Sequence, residues 1–460
     1  MRQRVQAWST TRTGRAGIAA GGVVGLALVW LARWRTSPLH ASSDTYWYYA
    51  QALRLTGMSR HAAMLRAGGW WCRLFDPRLD PTTCAPMWLR ISPRYRHIFF
   101  TRIGFPSVIA PFVPLVGHHA IFLATLVLGV GFGVAFTIAV RLFGAPWPAA
   151  WSAAVLAYAL PSGAWTAWYG PAGGMLLGTS LTLIGSVLVV RGRTWPGVGV
   201  IVAALAWLGA DDPAYAPTTA AALALAAVLA WPRWRARRRA GVVLVGTGTA
   251  GVVGWFVVAK VAGLPGLRTT LEDLLTQHFT HPSVPDPYRV ALLDRLPGFV
   301  QVQAVALIHS PMPVVVAAAG LVGLVWASRR AGLPLAWTWL TWAGVAATGV
   351  VLVLVHPLVS QMPRLLIPFW LEVAAGIACL VAAAWETIRS PRRPAVPAGP
   401  GGPDLDRVGA ALGTGGSALP GDRVVVQARE VVTHPVPFRA QVPQVLRGGL
   451  YGKPDPTGDP

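Results

Sequence analysis

Acidic residues are scarce in this chain, 17 against 39 Lys and Arg in 460 positions, so those in recognisable settings are the first candidates for chemistry. Asp44 sits in Ser42-Ser43-Asp44-Thr45-Tyr46-Trp47-Tyr48-Tyr49-Ala50-Gln51-Ala52, directly after an apolar run. A carboxylate there can take a proton from a hydroxyl nucleophile, or it can cap the short helix that follows. Tyr46, Tyr49 and Leu53 fall on one face of that helix, a pattern suited to a membrane interface. Asp211-Asp212-Pro213 also reads two ways. Asp before Pro makes a good helix start, yet adjacent carboxylates at a membrane boundary are costly if buried and unpaired. Asp76 and Asp80 each precede a proline and read as solvated turn residues, with Asp80 kept as a further candidate acid.

Other reactive side chains are weaker candidates. Cys72 and Cys84 share one loop and can form a disulfide if it lies in an oxidising compartment. Cys379 falls inside an apolar run. Three cysteines give no metal-site spacing. His278 and His281 have a spacing that suits a metal on a helix, but Pro282 follows and no carboxylate is fixed beside them, so they read as surface residues. His118-His119 marks a turn, and His356 ends an apolar run. The GVGFG stretch at 129–133 is helix packing, since no Lys-Ser/Thr follows as in a nucleotide loop. Trp165, Trp168 and Trp337 read as interface anchors.

Membrane helices must position these groups. The chain is 54% hydrophobic and 12% charged, with a mean hydropathy of +0.51; soluble chains are about one-quarter charged. Apolar runs of membrane length recur, and in lipid they satisfy their backbones only as helices. An all-α polytopic bundle of about ten spans is expected, near 17–34, 120–140, 146–163, 171–190, 195–209, 213–231, 240–263, 311–327, 333–354 and 365–384. With a cytoplasmic N-terminus (1–16), Arg141, Arg191, Arg193, the PRWRARRR run at 232–239 and Arg329-Arg330 all fall inside. Asp211, Asp212, Glu272, Asp273, Asp286 and Asp294 then fall outside. The alternation requires 103–117, with Pro106, Pro111 and Pro114, to lie at the interface instead of crossing. The transmembrane domain is thus 17–385, with outer loops 35–119 and 264–310, and 386–460 is a disordered cytoplasmic tail by its Pro, Gly and Arg content. The net charge of +22 is spread over turns and termini, which reads as topology and not as a nucleic-acid surface.

Three stretches carry a family resemblance: Asp44 through Ala50 to Gly57, Tyr95-Arg96 through Arg102-Ile103-Gly104-Phe105-Pro106, and Met362-Pro363-Arg364-Leu365-Leu366-Ile367-Pro368. Their order and sidedness resemble the GT-C class of integral-membrane glycosyltransferases, which use polyprenyl-phosphate-linked sugars on the extracytoplasmic face. The resemblance implies a GT-C-like bundle with extracytoplasmic juxtamembrane helices in the inner (plasma) membrane. The implied partners are a polyprenyl-phosphate sugar and a glycan or lipid acceptor.

The chemistry implied is hexosyl or pentosyl transfer. Asp44 would deprotonate the acceptor hydroxyl, and Arg102 and Arg364 would bind the departing phosphate through paired hydrogen bonds. The bland reading of both arginines is anchoring of helix ends. Many family members carry an acidic pair where this chain has Ser43-Asp44, which leaves a divalent metal open. Other expectations for such a bundle are a transporter or lipid flippase, for which Lys260 and Glu372 are the nearest intramembrane ionisable groups, and a non-catalytic membrane scaffold with a basic tail.

Overall fold

The computed structural model describes residues 12–37, 40–75, 78, 80–230, 238–276, 278–279, 281–355 and 362–389. Helices make up the described chain, and no strand occurs among the described residues. The principal ones are α1 (Arg12–Thr36), α2 (Ser43–Leu55), α3 (Arg60–Phe75), α4 (Pro93–Phe100), α5 (Ala120–Leu142), α6 (Trp147–Ala159), α7 (Ala172–Val190), α8 (Thr194–Asp211), α9 (Tyr215–Ala230), α10 (Arg238–Val261), α11 (Leu267–Leu275), α12 (Leu296–His309), α13 (Met312–Arg330), α14 (Leu335–Val355) and α15 (Ile367–Arg389). The N-terminal 1–11, most of the PRWRARRR run, Asp76, His356 and the tail from 390, with its 394–460 unit, lie outside the described residues.

Among the described residues eight helices are long and apolar enough to cross a membrane, which makes the chain a multi-pass membrane protein. The count differs from ten for local reasons. The expected span at 146–163 breaks at Pro161 into α6 and a short helix, Pro161–Thr166. The apolar helix α9, Tyr215–Ala230, is shorter than a full span, while α14 has the length of one at Leu335–Val355. Conversely, the expected loop 264–310 contains an apolar helical stretch of span length, Pro287–His309. Residues 104–119 continue into α5 as a series of short turns, Gly104–Ile109, Ala110–Phe112, Val113–Val116 and Gly117–His119. Gly117 takes φ +60° there, a left-handed conformation that suits glycine.

Lipid offers apolar helices no hydrophobic reason to associate, so close packing through small residues brings them together. Gly185 of α7 and Gly197 of α8 show this: a Cβ on either would stand 2.7 Å from the other's carbonyl oxygen. Gly320 and Gly323 of α13 face Gly376 of α15 in the same way.

These contacts fix the two ends of the bundle. Gly320 packs on Glu372, Gly323 on Gly376, and Arg330 pairs with Glu386, so α13 and α15 run parallel. Arg141, Arg191 and Arg330 line one cavity at that end. At the other end the first turn of the 104–109 helix abuts Asp211, and the parallel register of α13 on α15 places the starts of both helices at one end. His97 Nε2 meets the Gly263 carbonyl oxygen at 2.9 Å, which puts the end of α10 there too. Residues 264–310 therefore leave and re-enter the bundle at one end, and their apolar helix α12 makes no net crossing.

At that end, residues 40–119 build a second core. Tyr46, Trp47, Tyr48 and Tyr49 are all at most 2% exposed, packed with Tyr95, Phe99 and Phe105. The aromatic face of α2 expected at an interface is instead the heart of this unit. A disulfide joins Cys72 to Cys84, tying α3 to the turn before Ala85.

Candidate functional site

Four of the charged residues singled out above meet at this end of the bundle. Arg364 Nη1 donates to Asp44 Oδ2 at 3.2 Å, and its Nη2 lies 3.9 Å from Asp212 Oδ2. Arg102 Nη1 lies 3.7 Å from the same Asp212 oxygen and donates to the Tyr48 hydroxyl at 3.3 Å. Two carboxylates and two guanidiniums thus alternate along a chain, Asp44–Arg364–Asp212–Arg102.

Each member is delivered by a different element, and the local sequence explains how. Ser42 caps α2 through a reciprocal box with Thr45, so Asp44 is not the cap and its carboxylate is free to face Arg364. Thr45 also donates to the Tyr169 carbonyl at 2.9 Å, pinning the start of α2 to the bundle. Tyr48 lies one turn beyond Asp44, on the same face. Arg102 follows α4, and the neighbouring Gly104 lets this turn press on the end of α8. A Cβ at 104 would stand 2.7 Å from Asp211 Cα. Asp212 serves twice: Oδ1 accepts from the Ala214 N–H at 3.3 Å, as a helix start requires, while Oδ2 faces both arginines. Arg364 precedes α15, with its guanidinium 5.6 Å from the Trp168 ring centre. Trp168 and Trp337 are buried, at 5% and 0% exposed, and do not anchor at an interface.

Both arginine side chains are largely withdrawn from water, 14% and 11% exposed, which overturns the helix-end anchoring reading. Burial disfavours their charge, but Asp212, Tyr48 and Asp44 outweigh it around Arg102, and Asp44 and Tyr48 do so around Arg364, so both stay cationic. Burial pushes the Tyr48 hydroxyl up to about 12 despite the opposing pull of Arg102, which keeps it a neutral donor and acceptor. Beside the cluster, Arg102 Nε and the hydroxyl of Tyr215, which neighbours Asp212 and Arg364, are buried without partners, as several other polar atoms among the described residues are. Here they are donors open to a ligand's acceptors.

Asp211 and Asp80 separate from this group. Asp211 is fully buried against Gly174 of α7, with the Phe105 N–H turned toward it and no well-formed hydrogen bond to either oxygen. Asp80 is corrected outright as a second acid. It caps the short helix Pro81–Cys84, accepting from the Thr82 N–H at 3.0 Å, on the exposed surface. Among the described residues no three His, Cys, Asp or Glu side chains gather as metal ligands. Asp44 and Asp212 are committed to guanidiniums, so the cluster does not fit a divalent ion.

His278 keeps the surface position expected of it, with its side chain 52% exposed. Its ring lies 4.5 Å from that of Tyr95, and Nδ1 is 3.2 Å from Asp273 Oδ1. Nothing in the spacing of TQHFTHP foretold this, because the contact depends on the fold of 264–286 over α4. No protein-family model, curated protein or solved structure matches the chain.

Proposed function

We propose that the chain is a GT-C-like glycosyltransferase that moves a sugar from a polyprenyl-phosphate donor to an envelope acceptor on the extracytoplasmic face of the plasma membrane. The observation that carries this reading is the meeting of Arg102 and Arg364 with Asp44 at one end of a membrane bundle, with unpartnered donors beside them.

The chemistry follows from the charges. The donor's phosphate meets two guanidiniums whose fork-shaped donors suit paired hydrogen bonds to its oxygens. Asp44 takes the proton of the acceptor hydroxyl as that oxygen attacks the anomeric carbon. The bond from that carbon to the phosphate oxygen breaks, and its electron pair leaves with the polyprenyl phosphate. The arginines stabilise the negative charge gathering on that oxygen. Asp44 and Asp212 hold the guanidiniums in place, so little reorganisation is needed when phosphate arrives. The Arg141, Arg191 and Arg330 end faces the cytoplasm in this reading, by the positive-inside rule.

Comparison of lipid-linked sugars and envelope glycans between a deletion strain and its parent, with complementation by the wild-type and Asp44→Asn genes, tests the assignment. A glycan lost on deletion and restored only by the wild-type gene supports it. Identical glycans in all strains remove it. A transporter reading would rest on Glu372, 2% exposed in α15; it expects Glu372→Gln, and not Asp44→Asn, to be the inactivating change.

A further inference from the structure

We infer that the cavity at the end of the bundle opposite Asp44 binds the phosphate headgroup of an anionic phospholipid through Arg141, Arg191 and Arg330. This site is separate from the transfer chemistry and does not depend on it.

Close packing brings three helix ends together around this cavity. Gly144, in the turn after α5, takes φ +107°, a conformation that favours glycine. There it packs on the end of α13, where a Cβ at 144 would stand 2.6 Å from Ala331 Cβ. Arg191, just past the end of α7, donates from Nη2 to the Leu142 carbonyl oxygen at 2.6 Å, which ties α7 to α5. Arg141 Nη1 donates to the Ala145 carbonyl oxygen at 3.0 Å, and Arg330 pairs with Glu386 of α15. Between these ends lies a cavity of about 330 Å³, lined by Arg141, Leu142, Gly144, Arg191, Arg330 and Ala331. Arginines at helix ends commonly serve only to satisfy carbonyls and to set topology. Arg141 and Arg191 do satisfy carbonyls, but that task needs no empty space.

A single water needs on the order of 10–15 Å³ of such space, so the cavity has room for a much larger polar group. Three of its six lining residues are cations and none is an acid, which suits an anion. A guanidinium carries five N–H donors in a planar fork. The bond from Arg141 to Ala145 engages one terminal nitrogen, which leaves the fork able to grip phosphate oxygens in pairs. Position makes that phosphate a lipid's. Arg141 stands 5.6 Å from the Trp147 ring centre and Arg330 5.7 Å from that of Trp326. Tryptophan beside the end of a membrane helix marks the headgroup level. Apolar surface leads from the cavity toward the membrane interior. Ile138, 39% exposed, lies one turn before Leu142, and Val322, 57% exposed, shares a face of α13 with Trp326 and Arg330. Acyl chains can lie along that surface while the headgroup fills the cavity, as in other basic pockets between membrane helices. A soluble phosphate would gain nothing from it.

The test is ligand-linked stabilisation of the full-length protein in neutral detergent at about 1 M salt, where diffuse attraction is screened beyond about 3 Å. Dioctanoyl phosphatidylglycerol should raise the unfolding midpoint, and dioctanoyl phosphatidylcholine should leave it nearly unchanged. Arg141→Gln and Arg191→Gln are each compared with their own lipid-free midpoint. The phosphatidylglycerol concentration needed for the same shift should rise about tenfold in each, the loss of one charge-assisted hydrogen bond. Arg193→Gln and Arg329→Gln remove exposed charges at the same end but outside the cavity lining, and should respond as the wild type does. Equal shifts by the two lipids in the wild type overturn the inference, whether or not the variants fold. No loss in either cavity variant also overturns it, because the lipid then binds elsewhere, the Asp44 end included. An equal loss in the two control variants does the same, since the arginines then act only as surface charge. Inorganic phosphate at the same concentration should give no shift; a shift equal to that of the lipid overturns the lipid assignment in favour of a soluble anion.

Discussion

Arg364 and Asp44 are 320 positions apart in sequence and meet at 3.2 Å, between the start of the first helix after α1 and the turn that opens the last described one. That pair closes the bundle at the end opposite Arg141, Arg191 and Arg330, and Asp212 joins it to Arg102. The predictions below concern how these groups support each other.

Asp212 is the shared counter-charge of two buried guanidiniums, whereas Asp211 faces no cation directly. Asp212→Ala should therefore lower stability by about 3 kcal/mol or more, because it leaves buried charge uncompensated. Asp211→Asn, which keeps shape and removes a buried carboxylate, should be neutral or stabilising. Thermal unfolding of the two variants in detergent decides the matter. An Asp211→Asn loss as large as that of Asp212→Ala would contradict the account.

Arg364→Lys keeps the charge but gives up the planar fork. Transfer efficiency should drop about 10- to 100-fold, the equivalent of one charge-assisted hydrogen bond of ~1.5–3 kcal/mol. Steady-state kinetics against donor concentration measures it, and unchanged kcat/KM would leave Arg364 without a phosphate role.

Gly104 lets the turn after Arg102 press on Asp211, with no space for a Cβ. Gly104→Ala should cost about 1–3 kcal/mol by overpacking and should separate Arg102 from Asp212. Both the unfolding midpoint and donor affinity should fall. Loss of neither would mean that the close approach is not needed.

The Cys72–Cys84 bond closes a loop with a sequence separation of 12, for which chain entropy gives about 3 kcal/mol. Reduction, or replacement of both residues by Ala, should make residues 60–90 a preferred site of limited proteolysis while the membrane helices remain intact.

The tie from Arg94 to Glu272 should be lost in acid. Arg94's hydrogen bonds, against the opposing effect of burial, hold the Glu272 carboxyl below its ordinary 4.5. Its contribution is therefore complete above about pH 4.5 and disappears as the pH falls through the depressed folded value. Proteolysis of the 264–286 segment should rise only in that acidic window, and Glu272→Gln should show the raised rate at neutral pH.

Much of this arrangement could be read from residue order alone. Apolar run lengths gave the helical bundle, and the placing of Arg141, Arg191 and Arg330 against Asp211 and Asp212 anticipated which groups share an end. Arg102, Arg364 and Asp44 were legible through the resemblance, because each stands beside a helix terminus at that end. The remainder depends on tertiary contact. Ser42 and Thr45 form the cap that frees Asp44, a competition that an Asp following two serines does not resolve. The aromatic face of α2 carries the same pattern whether it meets lipid or Trp88 and Phe99, and only the packing of 40–119 decides between them. Asp80 and Asp212 are both aspartates near prolines, and what separates them is burial. His278 is exposed, as its setting suggested, but its contacts with Asp273 and with Tyr95, 183 positions away in sequence, depend on the fold.

The most direct measurement is transfer itself. Purified protein in proteoliposomes is given a radiolabelled polyprenyl-phosphate sugar and an envelope acceptor fraction, and label passing to the acceptor is followed over time. The account predicts transfer by the wild type and a loss of about 10²- to 10⁴-fold in Asp44→Asn, with the variant inserted and its unfolding midpoint close to that of the parent. Equal transfer by Asp44→Asn and wild type would contradict the assignment of Asp44 as the base and, with it, the account of this site.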